Sequence, residues 1–185
     1  GGGGDDTLIG GGGDDVFEVD GGEDVIDGGA GRDALDFSAS VAGVQVDLST
    51  GTLADGEGFG DQFSSIEVVT GSDAADTLVG SDGDDTLIGG GGADTLIGGS
   101  GDDVFVVDGG EDVIDGGIGQ DALDFSASVT GVQVDLSTGT LVDGEGFGDQ
   151  VNSIEFVNGS AFADTLVGSD GADALFGGSG SDTLI

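Results

Sequence analysis

The chain has 185 residues, 44 of them glycine, and a net charge of −38, because 39 acidic residues stand against one base, Arg32. A chain this acidic cannot bind nucleic acid directly, because a protein needs Lys and Arg to neutralise the phosphates. The same charge argues against docking on an anionic membrane surface. The absence of Cys and His excludes disulfides, thiolate zinc sites and histidine-based catalysis.

Residues 1–36 form the first array of a nine-residue unit. Read from Gly1, the units are GGGGDDTLI, GGGGDDVFE, VDGGEDVID and GGAGRDALD. The sixth residue of each is Asp, and the eighth is Leu, Ile or Phe. A glycine-rich stretch followed by alternating residues predicts a turn and then a short strand. Two units would make one 18-residue coil, and successive coils would stack as parallel strands about 4.8 Å apart.

Residues 37–70 interrupt the array with an insert that does not follow the nine-residue period. It contains two stretches of strand length, VQVDL at 44–48 and SIEVV at 65–69. Their alternating or apolar character predicts that the insert continues the same roll with longer coils.

The loop at 54–62 inside this insert is rich in acids and glycine. Its Asp55, Glu57 and Asp61 could form an extra calcium loop, although their spacing does not fit the EF-hand pattern. The alternative is a solvated, protruding loop. Phe59, at the tip of the loop, is expected to tuck back against the roll, and so is Phe147 in the corresponding loop at 142–150.

The rest of the chain repeats this organisation with a period of 88 residues. Six units fill 71–124, a near-identical insert fills 125–158, and three units fill 159–185. We therefore predict one continuous solenoid of about ten coils. Such close similarity between copies indicates either recent duplication or a function that depends on uniform length.

The alternation within each unit places its eighth residue on the inner face of the solenoid. The predicted interior consists of Leu8, Phe17, Ile26, Leu35, Leu78, Leu87, Leu96, Phe105, Ile114, Leu123, Leu166, Leu175 and Leu184.

Stacking also brings the sixth-position aspartates together in two columns, one along each edge. One edge would hold Asp76, Asp94 and Asp112, and the other Asp85, Asp103 and Asp121. Carboxylates stacked in this way repel one another. Calcium, which takes six to eight oxygens from carboxylates and backbone carbonyls, would reverse that repulsion. We therefore expect the metal-free chain not to fold.

The thirteen units closely resemble the repeats-in-toxin (RTX) family, whose nonapeptide is G-G-x-G-x-D-x-U-x with U large and apolar. The resemblance implies an all-β fold, a right-handed parallel β-roll (β-solenoid) with calcium in both columns of turns. It also implies that several calcium ions are ligated by Asp6, Asp15, Asp24, Asp33, Asp76, Asp85, Asp94, Asp103, Asp112, Asp121, Asp164, Asp173 and Asp182.

Several turns depart from the consensus. VDGGED, at 19–24 and 107–112, replaces two glycines, although its Asp20 or Asp108 could add a ligand oxygen. Ala74 and Phe162 replace the fourth glycine of the turns that begin the second and third arrays, which makes those two sites doubtful.

The acids are placed by the repeat period and lack catalytic partners, so we expect no enzymatic activity. The resemblance implies a secreted or cell-surface protein of a Gram-negative bacterium, exported by type I secretion and folded outside the cell by calcium. Two functions stay open. One is a structural repeat of an adhesin, surface layer or fibre, in which the rods could self-associate end to end or side by side. The other is a folding and export module attached to a secreted enzyme or toxin. Neither needs nucleic acid or insertion into a membrane.

Overall fold

The structure is a computed structural model that describes residues 2–19, 21–54, 60–143 and 148–185. Every regular element in these ranges is a β-strand, and none of the described residues belongs to a helix long and apolar enough to cross a membrane. The predictions made for five residues lie outside the described ranges: those for Asp20, Asp55, Glu57, Phe59 and Phe147.

The strands form two sheets, a large sheet of thirteen strands and a small sheet of eight. In chain order, the strands of the large sheet are β1 (Thr7–Gly12), β3 (Val25–Ala30), β5 (Gln45–Asp47), β6 (Thr52–Ala54), β7 (Gly60–Ser64), β9 (Thr77–Val79), β11 (Thr95–Ser100), β13 (Val113–Ile118), β15 (Gln133–Asp135), β16 (Thr140–Val142), β17 (Asp149–Asn152), β19 (Thr165–Val167) and β21 (Thr183–Leu184). Those of the small sheet are β2 (Val16–Glu18), β4 (Ala34–Asp36), β8 (Val68–Thr70), β10 (Thr86–Ile88), β12 (Val104–Val106), β14 (Ala122–Asp124), β18 (Phe156–Asn158) and β20 (Ala174–Phe176).

Within the arrays the chain alternates between the two sheets, and each strand pairs in parallel with the strand one coil further on. Leu8 of β1 lies opposite Ile26 of β3, and Phe105 of β12 lies opposite Leu123 of β14. Both pairs are 18 residues apart, which is two nonapeptides. The predicted β-roll and its 18-residue coil are thus confirmed.

Each insert builds an antiparallel meander in the large sheet rather than one longer coil. The strand order β3-β7-β6-β5-β9 shows that the chain leaves β4, enters the large sheet at β5 and returns through β6 to β7. The reversal follows β5, where the Thr50 N–H and the Ser49 hydroxyl both donate to Asp47 Oδ1. The second insert repeats the meander with β15, β16 and β17.

The coil count therefore falls below the ten predicted. Each insert adds three strands to the large sheet but only one, β8 or β18, to the small sheet. In the part of the chain that the structure describes, eight coils carry a strand of the small sheet, and the two sheets differ in length.

The core is the row of eighth-position side chains between the sheets, as predicted. All of these side chains except Leu8, Leu175 and Leu184 are buried, and Leu184 is half exposed in the last strand. The inserts extend the row with apolar side chains of their own, including Phe37, Val46, Leu53, Phe63 and Val69, and with their counterparts in the second copy.

Candidate metal sites

The sixth-position aspartates lie in two columns, one along each edge where the chain turns from one sheet to the other. A repeated hydrogen bond links neighbouring coils within each column. The backbone N–H of Asp76 donates to Asp94 Oδ1 (2.8 Å), and the N–H of Asp94 donates to Asp112 Oδ1 (2.9 Å). The first column, which leads into the large sheet, holds Asp6, Asp24, Asp76, Asp94, Asp112, Asp164 and Asp182; the second, which leads into the small sheet, holds Asp15, Asp33, Asp85, Asp103, Asp121 and Asp173. The two edges are those predicted.

The second carboxylate oxygen of many of these residues is buried in its own turn and receives no hydrogen bond. Asp103, for example, is fully buried, and its Oδ2 has no donor. The same is true of Oδ2 in Asp15, Asp24, Asp33, Asp94 and Asp121. A buried carboxylate oxygen without a donor is costly, and a bound cation would remove that cost.

Backbone carbonyls approach these same oxygens. A Cβ atom added to Gly10 would lie 2.5 Å from Asp15 Oδ2 and 2.6 Å from the carbonyl oxygen of Gly28, the equivalent glycine of the next coil. Two oxygens of different coils thus face one small space that only glycine leaves open. Within the described ranges no three carboxylates gather into a metal-binding group, so carbonyls have to supply most of the ligands. Carboxylate and carbonyl oxygens are the ligands that calcium prefers, and the residues fit that ion.

No positive charge compensates these columns. The guanidinium of Arg32, the only base, donates to the Thr86 hydroxyl on the outside of the small sheet. Burial, together with the charge of neighbouring aspartates, raises the pKa of Asp94 to about 7 and that of Asp103 to about 6. The fold therefore holds its carboxylates where the charged form is disfavoured unless a cation is present.

We expect the metal-free roll to become more stable as the pH falls from about 7 towards 4. Because the pKa values of Asp94 and Asp103 are raised in the fold, the folded state binds more protons than the unfolded state in this window, and protonation favours folding. Far-UV circular dichroism of the chelated protein at pH 7.5 and 4.5 measures the effect, with more β signal at pH 4.5. In saturating calcium the order should reverse, since protons then displace the metal. Equal signals at both pH values without calcium would contradict the expectation.

Two kinds of turn occur in the columns. In Gly-Gly turns such as 98–103, Gly99 and Gly101 have positive φ angles of 107° and 118°. The turns that begin with Gly-Ser have no positive φ; there the Ser81 N–H (2.6 Å) and hydroxyl (2.9 Å) donate to Asp85 Oδ2. Ser72, Ser160 and Ser169 make equivalent bonds to Asp76, Asp164 and Asp173. In these four turns serine already supplies donors to the oxygen that a cation would use.

The doubtful turns of the second and third arrays belong to this serine type. The N–H groups of Ala74 and Phe162 donate to the hydroxyls of Ser72 and Ser160, so the missing fourth glycine is accommodated by a serine-centred turn. In the VDGGED turn, Asp108 is half-buried and its Oδ1 accepts the Gly90 N–H at 3.0 Å. Asp108 thus lies at the edge of the first column, where an added oxygen was expected.

The inserts contribute acids to the columns that do not belong to any nonapeptide unit. Asp61 and Asp149 lie at the start of the returning strands, as the second residue of β7 and the first of β17. They accept the N–H groups of Asp24 (2.7 Å) and Asp112 (2.8 Å), so they take the sixth-position role. Both are buried, and burial raises the pKa of Asp149 to about 7. The sequence does contain a signal for this role. DQF (61–63) and DQV (149–151) have the spacing of the nonapeptide, in which the buried apolar residue follows the aspartate by two positions. Glu67 and Glu155 take the same role in the second column.

The first column is discontinuous, whereas the second runs past each insert. Beyond Asp61 and Asp149 the neighbouring strands are the reversed β6 and β16, and the column resumes where the N–H groups of Val44 and Val132 donate to Asp76 and Asp164. The small sheet has no reversed strand, so its turns stay stacked from one array to the next.

Comparison with protein families agrees with this geometry. The family model described as RTX calcium-binding nonapeptide repeat matches the chain in four copies, at residues 1–35, 70–105, 93–123 and 152–184. These matches together cover more than half of the chain. No protein with a curated description matches it.

Proposed function

Because the chain belongs to the RTX calcium-binding nonapeptide repeat family, and is therefore a calcium-binding repeat module of a secreted bacterial protein, we propose that it is a structural segment of an adhesin, surface layer or fibre. The calcium-free chain would leave the cell unfolded through a type I export channel and fold outside. In this proposal the segment has no enzymatic activity, and its location is the cell surface or the extracellular medium.

The observation that carries the structural role is the uniformity of the two 88-residue copies. The second copy repeats the first strand for strand: Ile26 of β3 lies opposite Phe63 of β7, and Ile114 of β13 lies opposite Val151 of β17. Because the unit reproduces both its roll and its meander, the repeat supports a structural role in which the length and shape of each unit matter. In such an assembly, neighbouring rods would also associate end to end or side by side.

The alternative function is a folding and export module attached to a secreted enzyme or toxin. It rests on the same two columns of aspartates, because calcium binding would drive folding in either case. The two proposals differ in the full-length protein. Many tandem 88-residue copies favour the structural role, whereas one short array beside a catalytic or toxin domain favours the export module.

Calcium titration followed by far-UV circular dichroism tests the proposed calcium dependence. We expect a cooperative transition from coil to β-structure, because calcium at a hundred times its Kd contributes about 2.7 kcal/mol per site to the folded state. Magnesium is the control, since it demands a smaller, near-octahedral shell and should not drive the transition. A β signal that survives a strong chelator at neutral pH would mean that the packed core alone sustains the fold, and would overturn the proposal.

A further inference from the structure

Two serines at equivalent corners of the inserts have an unusual backbone. Ser65 and Ser153 lie between the returning strand of the meander and the next strand of the small sheet, with φ angles of 56° and 53°. They are the only residues other than glycine with positive φ in the described part of the chain. The same conformation in both copies shows that this corner is a feature of the repeat.

The left-handed conformation directs each serine carbonyl into the turn of the preceding coil. At Gly28 the place of a Cβ atom is filled by the Ser65 carbonyl oxygen and, at 2.7 Å, by Asp33 Oδ2. At Gly116 it is filled by the Ser153 carbonyl oxygen and, at 2.6 Å, by Asp121 Oδ2. A carbonyl of the insert and a carboxylate of the array thus face the same small space.

The carboxylates at these junctions are fully buried, and one oxygen of each lacks a hydrogen-bond donor. Asp33 and Asp121 are both 0% exposed, and no hydrogen bond reaches Oδ2 of either one. A second acid is also present, since Glu67 Oε2 accepts the Asp33 N–H (2.9 Å) and Glu155 Oε2 accepts the Asp121 N–H (3.0 Å). The charge of Glu155 is one of the causes that raise the pKa of Asp121, after burial.

The junction uses different residues to form the same contact that links two consensus coils, in which a carboxylate of one coil faces a carbonyl of the next. In the consensus step at Gly10, the opposing carbonyl comes from Gly28, 18 residues further along the chain. At the junction the carbonyl comes from Ser65, 37 residues further along, and glutamate replaces aspartate. Residues 61–69 lie outside all four matches to the family model, whereas Ser153 and Glu155 of the second copy lie at the start of the fourth match.

We propose that each junction between array and insert is an additional, non-consensus calcium site, formed by Asp33, the Ser65 carbonyl and Glu67 in the first copy. Asp121, the Ser153 carbonyl and Glu155 form it in the second. The inference rests on the proposed function, because it assigns ligands to the same metal. Its consequence is that the second column of ions continues across the insert.

The test is the number of calcium ions bound by the double variant Glu67→Gln/Glu155→Gln, measured by equilibrium dialysis with elemental analysis. We expect two fewer ions per chain than in the unmodified protein, or two sites weakened at least tenfold. The matched control is Glu23→Gln/Glu111→Gln, which removes the same charge from exposed residues 88 positions apart and should retain the full number.

The outcomes separate this inference from the function on which it rests. If the unmodified protein binds calcium and the double variant binds the same number with the same affinity, the junction sites are refuted. If the unmodified protein binds no calcium, the proposed function fails instead. Should the double variant not regain its β signal in saturating calcium, the single variants Glu67→Gln and Glu155→Gln should each lose one ion, and a full complement in both would overturn the proposal.

Discussion

Replacing Phe105 with alanine is expected to destabilise the calcium-loaded roll by about 3–5 kcal/mol, the usual cost of removing a buried aromatic ring. Phe105 is fully buried and lies between Leu87 and Leu123 of the neighbouring coils. The core consists of one row of side chains from each sheet, so few neighbouring side chains are free to move into the cavity. Thermal unfolding in saturating calcium measures the loss.

The control for this substitution is Val113→Ala, on the outer face of β13. Val113 is 42% exposed, and shortening it should cost less than about 1 kcal/mol, within the range of strand preferences. A Phe105 variant no less stable than the Val113 variant would show that the metal, and not the apolar row, holds the coils together.

Alanine at Gly98 is the second substitution with a large expected effect. The added Cβ atom would lie 2.5 Å from the carbonyl oxygen of Gly116 and closer still to Asp103 Oδ2. Both oxygens face the space assigned to the cation, so the methyl group displaces two ligands at once. We expect a cost of about 1–3 kcal/mol from overpacking, together with the loss of one bound ion. A calcium titration followed by circular dichroism should then have its midpoint at a higher concentration.

Gly83→Ala is a suitable control, because it places the same methyl group in a turn with room for it. Its nearest neighbour would be the Ser81 hydroxyl at 3.6 Å, an ordinary contact. If both alanine variants show the same midpoint, the space at Gly98 is not a metal site.

The nonapeptide arrays could be predicted from the sequence because the sixth position always lies in the turn and the eighth always faces the interior. Aspartate in the turn and an apolar residue two positions later determine the edge, the inner face and the 18-residue coil, as Asp103 and Phe105 illustrate. These features depend on local alternation and on period, which a sequence displays directly.

The meander could not be predicted in the same way, because its pairing is not local. VQVDL has the same alternation whether β5 pairs in parallel or antiparallel, and in the structure it does both, with β9 and with β6. The roles of Asp61 and Glu67 were hidden for a related reason: each lies far along the chain from the coil on which it stacks. The donors that Ser81 supplies to Asp85 depend on a turn conformation that the residue types alone do not specify.

The unequal number of strands in the two sheets determines the path of a longer array. From β3 to β9 the large sheet advances by four strand positions, whereas from β4 to β10 the small sheet advances by two. With strands about 4.8 Å apart, the large sheet is longer by about 10 Å at each insert. Both ladders stay hydrogen-bonded, so the large sheet has to follow the longer path, and we expect each insert to curve the solenoid towards the small sheet. Since both inserts add strands to the same sheet, we expect the same sense of curvature at each one.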